Sequence, residues 1–147
     1  NSGDCNSGYR NSGHWNSGDR NSGDRNSGDM NSCNRSSGVF NSKEQNIYMF
    51  NKLSDWKYND WYNSEARQVL QKLILTEWIR FSYMTNEERE KHPEAQITNG
   101  YLKTYAYKEA CGIWWNNLTD KEKDIIRELP NFDSDVFYKI TGIKEEV

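Results

Sequence analysis

Histidine and cysteine are scarce in this sequence, two and three among 147 residues, and neither is clustered. His14 lies in a repetitive segment, His92 stands at an expected helix end before Pro93, and no cysteine pair has metal-ligand spacing, so no metal site is expected. Cys5, Cys33 and Cys111 form an odd, scattered set that fits free thiols in a reducing compartment better than a disulfide framework. No apolar run approaches the roughly 18 residues of a membrane-spanning helix. No secretory signal is present, so no membrane association and a cytoplasmic location are expected. Excess basic charge is missing too. The net charge is −3, without the basic stripe that displaces counterions from phosphates, which argues against direct nucleic-acid binding. The glycines never lead from a hydrophobic strand into a helix with Lys-Ser/Thr, so no phosphate loop is legible. Glu87, Glu88 and Glu94 fit a solvated helix face better than an acid–base set. Neither catalysis nor a cofactor is expected.

Apolar material is unevenly placed. A mean hydropathy of −1.09 is polar for a globular chain, yet Trp56, Trp61, Trp78, Trp114 and Trp115 all follow residue 52, while residues 1–38 hold few aliphatic side chains. Residues 1–40 carry four Asp and four Arg and are neutral, so the charge deficit belongs to the remainder. The chain begins in mid-repeat without Met and reads as a fragment or a trimmed chain.

What is present is a five-residue phrase, as in "NSGDRNSGDRNSGDM" (16–30). Asn fills the first slot at positions 1 to 31 in steps of five, Ser36 replaces it once, and Asn41, Asn46 and Asn51 resume the frame. Ser holds the second slot from Ser2 to Ser42. Gly holds the third from Gly3 to Gly28, yields to Cys33, and returns at Gly38. The last two slots vary. A frame kept over ten units is a repeat signal to be read before any other. Composition alone fits a disordered tether, because polar tracts rarely offset their ordering entropy. Strict phase that continues into the apolar "NIYMF" (46–50) argues instead for a folded solenoid whose end meets another domain.

Residues 1–52 resemble a pentapeptide-repeat protein of the Asn-x-Gly kind. That resemblance implies a right-handed β-helix with four five-residue faces per square coil of about 20 residues. Coils stacked at roughly 4.8 Å would number about 2.5. Position i would then lie over i+20, placing Asp4, Asp24 and Glu44 in an acidic column and Arg10, Met30 and Phe50 in another, with Arg20 facing Phe40. Better-known members put Leu or Phe inside at the central slot. Here Gly or Ser stands there, implying a narrow interior held by backbone and Asn hydrogen bonds. So few coils need further coils or a docking domain for stability.

Residues 53–147 read as a small mixed α+β domain. Ala66, Val69, Leu70 and Leu73 fall on one helical face with Asn63 or Ser64 as N-cap. The alternation in "EWIRFSYM" (77–84) predicts a strand. Thr85 and Glu88 form a capping box, and the helix ends before Pro93. Asn99-Gly100 within "QITNGYLK" predicts a two-residue hairpin turn. Ala110, Ile113, Trp114 and Leu118 share the next helical face, and Thr119 with Glu122 opens a further helix carrying Ile125, Ile126 and Leu129 inward. A last helix from Asp133 to Thr141 is capped by Gly142. Trp114-Trp115 reads as core plus domain contact. Residues 118–140 fit an αα-hairpin better than a DNA-reading helix-turn-helix, because Asp133 and Asp135 carry the wrong sign for phosphates. The motifs "NLT" (117–119) and "NRS" (34–36) match glycosylation acceptors, but nothing else argues for secretion.

The remaining functional material is surface. Tyr9, Arg10, His14, Trp15, Arg20, Arg25 and Arg35 occupy variable slots and form the expected interaction surface, since Trp, Tyr and Arg dominate interface hot spots. The phrases "FNKLSDWKYNDWYNSEAR", "MTNEEREKHPEAQITNGYLK" and "LPNFDSDVFYKITGI" are similar to domains appended to such repeats in proteins of gut bacteria and their phages. The expectation is a non-enzymatic protein-binding or scaffold module of a bacterium or phage, with room for a homodimer. The alternative, from the wider repeat family, is a DNA mimic that modulates gyrase or another DNA-acting enzyme through the acidic column.

Overall fold

The computed structural model describes residues 1–145 and divides them into two compact units, Asn1–Asn63 and Ser64 onward. The division falls later than residue 52 because the hairpin and helix that follow the repeats stay with the first unit. The structure contains both helices and strands.

The repeats stack with an offset of ten residues. Strands β1 (Ser27–Asp29) and β2 (Ser37–Val39) pair in parallel, with Ser27 opposite Ser37 and Asp29 opposite Val39. Isolated parallel bridges extend that register: Ser2 to Ser12, Ser7 to Ser17, Ser12 to Ser22 and Ser17 to Ser27. Two pentapeptides therefore complete each layer, where the family resemblance implied four.

The asparagine side chain explains the shorter layer. Asn11, Asn16, Asn21, Asn26 and Asn31 are each 1–2% exposed. Their Nδ2 atoms donate across the layer to the carbonyl seven residues on: Asn11 to Gly18 at 2.8 Å, Asn21 to Gly28 at 2.7 Å, Asn31 to Gly38 at 2.8 Å. An interior one amide wide closes after ten residues. A square coil lined only by Asn and Gly would leave its inner polar groups without partners, which is costly when they are buried.

Each slot's N–H has a defined acceptor, so the phrase can be read chemically. The first-slot N–H donates to the Asn Oδ1 ten residues earlier, as from Asn26 to Asn16 at 3.0 Å. The second donates to the first-slot carbonyl of the next layer, as from Ser12 to Asn21 at 2.7 Å, and the third donates backwards, as from Gly23 to Ser12 at 2.9 Å. The fourth donates to a fourth-slot side chain ahead, as from His14 to Asp24 Oδ1 at 2.8 Å. The fifth returns to a carbonyl, as from Arg25 to His14 at 2.8 Å. Gly18 shows why the third slot is Gly: its φ is +108°, and a Cβ there would lie 2.0 Å from the Gly28 carbonyl oxygen.

The first unit ends in a hairpin of β3 (Tyr48–Met49) and β4 (Lys52–Leu53), turned at Phe50-Asn51 with φ of 51° and 68°. Ser54 Oγ donates to the Ile47 carbonyl at 2.6 Å, and the Ile47 N–H donates to the Trp56 carbonyl at 2.8 Å. Helix α1 (Tyr58–Tyr62) follows, with Asp60 Oδ2 accepting the Lys57 N–H at 2.7 Å.

The second unit contains α2 (Glu65–Leu70), β5 (Thr76–Arg80), a 3₁₀ turn (Phe81–Tyr83), α3 (Asn86–Lys91), α4 (Ala95–Thr98), β6 (Gly100–Thr104), α5 (Tyr107–Asn117), α6 (Asp120–Arg127) and α7 (Ser134–Thr141). Strands β5 and β6 form an antiparallel pair, with Trp78 opposite Leu102. The core gathers Val69, Ala110, Cys111, Trp114, Trp115, Ile126 and Phe137. Trp114 Nε1 donates to the Val69 carbonyl at 2.8 Å, and the Trp115 ring meets Phe137 at 5.2 Å.

Local signals locate most helix ends. Ser64 caps α2, Thr85–Glu88 and Thr119–Glu122 form both capping boxes, Asp133 caps α7, and Gly142 at φ 76° ends it. Four expectations are corrected. Helix α2 ends at Leu70, which is 40% exposed, and Leu73 lies beyond it, so only Ala66 and Val69 of the expected face are buried on that helix. The strand expected over 77–84 stops at Arg80, and Phe81–Tyr83 turn instead. Asn99-Gly100 makes no hairpin: Asn99, at φ 62°, is the left-handed C-cap of α4, and Gly100 opens β6, whose partner is β5. Ile113 is 41% exposed, while Cys111 and Trp115 complete the buried stripe of α5, a face wider than the spacing implied.

Candidate interaction surface

The ten-residue register re-sorts the variable side chains. In the fifth slot, Cys5, Trp15, Arg25 and Arg35 follow one edge of the repeats, and Arg10, Arg20, Met30 and Phe40 follow another. Successive members belong to neighbouring layers, roughly 4.8 Å apart along the stack. All of them adopt the left-handed conformation, with φ between 53° for Arg35 and 61° for Trp15. That conformation carries these non-glycine side chains out of the ladder. Trp15 is 61% exposed and Phe40 74%.

The expected surface residues thus separate. Trp15, Arg25 and Arg35 share an edge, and Arg10 and Arg20 share the other. Tyr9, 77% exposed, belongs with Asp19 and Asp29 in the fourth slot. His14 is partly structural, since its Nδ1 accepts the Asp4 N–H at 3.0 Å.

The acidic column does not form. His14 intervenes between Asp4 and Asp24, and Asn34 between Asp24 and Glu44, because layers repeat every ten residues. Asp24 Oδ1 is engaged by the His14 N–H, and Glu44 Oε1 lies 3.6 Å from Arg35 Nη1. Arg20 and Phe40 stand two layers apart on the same edge rather than facing each other. The structural duty of the fourth slot was missed in the sequence. The signal was its recurrent Asp, His and Asn, all side chains with an acceptor atom.

Arg35 also reaches the end of the unit. Its guanidinium carbon stands 5.2 Å from the centre of the Tyr58 ring. Beside it, Lys57 Nζ donates to the Glu44 carbonyl and Asn46 Oδ1, each at 3.1 Å.

In the second unit, the Tyr101 hydroxyl donates to Glu88 Oε2. That bond holds the Glu88 carboxyl below its ordinary 4.5, with the Thr85 N–H adding to the effect, and pushes Tyr101 up to about 12. The His92 ring stacks on Tyr101 at 4.0 Å and 17°, and its Nδ1 lies 3.3 Å from Glu94 Oε1. His92 is the C-cap of α3. Three of the four carboxylates at this end have a partner: Glu87 with Lys91, Glu88 with Tyr101, Glu94 with His92. Cys5, Cys33 and Cys111 are free thiols, Cys111 fully buried and raised in pKa by that burial. Among the described residues, no helix is long and apolar enough to cross a membrane.

Residues 1–43 match the family model described as pentapeptide repeats, with 8 copies. The N-terminal segment of this chain is a run of pentapeptide repeats. No curated protein and no solved structure matches the chain.

Proposed function

We propose that the chain is a non-enzymatic protein-binding or scaffold module in which the repeats, wound as a β-helix, display side chains on rigid edges. One observation carries this reading. The repeat N–H groups are engaged mainly by the Asn interior, the ladder and the fourth-slot acceptors, and among the described residues the fifth-slot side chains from Cys5 to Phe40 donate no hydrogen bond to the stack. Trp15 and the neighbouring arginines are the side-chain types that concentrate binding energy at interfaces. The resemblance to proteins of gut bacteria and their phages supports a bacterial, cytoplasmic setting for the partner. The DNA-mimic alternative loses its stated basis once His14 and Asn34 interrupt the acidic column.

The test is affinity capture of bacterial proteins by the whole chain, compared with its Trp15→Ala and Ser22→Ala variants. Proteins retained by the wild type and by Ser22→Ala but lost with Trp15→Ala support the display reading. Identical retention by all three, with unfolding curves unchanged, would remove it.

A further inference from the structure

Within the first unit, the Trp15–Arg25–Arg35 edge runs into a cleft of about 210 Å³ lined by Arg25, Arg35, Tyr58, Asn59 and Tyr62. The register places the two arginines on successive layers, both with left-handed backbone. Two arginines therefore line one small space, a direct consequence of the ten-residue layer.

Their donors are underused. Among the described residues, the Arg25 side chain has no hydrogen-bond or ion-pair partner. Arg35 Nε is buried without one. The Arg35 contact with Glu44, at 3.6 Å, is long beside the roughly 2.7–2.9 Å of a charge-assisted hydrogen bond. One carboxylate thus stands against two guanidiniums, and Lys57 adds a third positive charge close to Glu44. Aromatic rings line the cleft as well: Tyr58, over which the Arg35 guanidinium stands, and Tyr62 lie one turn apart on α1, with ring centres 6.2 Å apart.

We propose that this cleft binds an aryl phosphate, a phosphate monoester carried on a single aromatic ring. A carboxylate is fully served by one bidentate arginine, whereas a phosphate dianion offers three oxygens and suits two guanidiniums. The tyrosine wall provides a surface for the ring of the ligand. The volume lies below the roughly 300 Å³ at which pockets for drug-sized molecules begin, which fits a phosphate with one ring. The same chemistry occurs on a phosphotyrosine side chain of a partner protein and on a free aryl phosphate. The inference rests on the cleft alone and does not depend on the display reading.

The experiment titrates the full chain with phenyl phosphate, inorganic phosphate and benzoate, following backbone amide resonances. The variants are Arg25→Gln and Arg20→Gln, both exposed arginines of equal charge on different edges. Expected are saturable phenyl phosphate binding with shifts at Tyr58, Asn59 and Tyr62, weaker inorganic phosphate binding, and weakening of about tenfold or more in Arg25→Gln only. Three results would overturn the proposal: no saturable binding, equal weakening in both variants, or benzoate binding as tightly as phenyl phosphate. A phosphotyrosine peptide then separates the sources. Tighter binding than phenyl phosphate supports the site with a protein ligand, and equal or weaker binding supports it with a free one. Failure here leaves the capture by Trp15 untouched, and failure of that capture leaves this titration untouched.

Discussion

Asn11 Oδ1 accepts both the backbone N–H of Asn21, at 3.0 Å, and its side-chain Nδ2, at 3.2 Å. The same Asn21 Nδ2 reaches the Gly28 carbonyl, and Asn21 Oδ1 serves Asn31 in turn. One buried amide thus ties three layers together.

Asn21→Ala should therefore be among the most damaging changes in the repeats. It leaves the Asn31 N–H and the Gly28 carbonyl short of a partner, each worth about 1–3 kcal/mol when buried. Ser22→Ala, on the exposed second slot, should stay within about 0.5 kcal/mol. Denaturant unfolding of both variants checks this; similar midpoints would mean the Asn ladder is not what holds the layers.

Gly18→Ala and Gly38→Ala should differ sharply. At Gly18 the new Cβ meets a backbone carbonyl at 2.0 Å in a positive-φ conformation, whereas at Gly38 φ is not positive and the contact is the Asn41 side-chain Nδ2 at 2.8 Å. Cys33, which takes the glycine slot, likewise has no positive φ. Gly18→Ala should lower the unfolding temperature by many degrees and Gly38→Ala by only a few, since backbone strain adds about 1–3 kcal/mol to a clash that cannot relax. Equal shifts would contradict the geometry.

The Tyr101–Glu88 bond makes a pH prediction with a definite sign. Glu88 is lowered from 4.5, so its contribution to stability is present above that value and is lost as pH falls through the depressed pKa. Tyr101 is raised from 10.0 to about 12, so its contribution is present below 10.0 and is lost as pH rises toward about 12. In Tyr101→Phe, the Glu88 carboxyl should titrate higher, though still below an ordinary glutamate because the Thr85 bonds remain. Carbon-13 titration of the side chain reads this directly. An unchanged Glu88 pKa would show the bond is not formed in solution.

Trp114→Phe keeps most of the apolar volume but removes the donor to the Val69 carbonyl. The Val69 carbonyl keeps the Lys72 N–H, so the cost is that of one net hydrogen bond plus the volume lost from a buried ring, together about 1–3 kcal/mol. In Ile113→Ala, on the exposed side of the same helix, the loss should be near or below 1 kcal/mol. Ranking the two by chemical unfolding tests whether α5 faces the core with Trp114 and Trp115.

Much of the second unit was legible because its signals are local. The capping boxes at Thr119 and Thr85, the Asp133 cap and Gly142 act within one turn of chain. Asn99-Gly100 shows the limit. Its taste for positive φ suits a hairpin turn and a helix C-cap equally, and the choice was made by β5, which pairs with the residues after Gly100. Phe81 likewise continues an alternating pattern, but no partner strand extends beyond Gly100 to keep it extended.

The sequence by itself determined the five-residue frame, the slot each residue type holds and the helix starts and stops. It did not determine how many pentapeptides close a layer. A period states which residues are equivalent. Closure depends on how far an inward side chain reaches, and the Asn amide spans only a ten-residue layer. That reach decided which residues became neighbours: His14 came between Asp4 and Asp24, Arg25 came beside Arg35, and an expected acidic column gave way to a paired-arginine cleft.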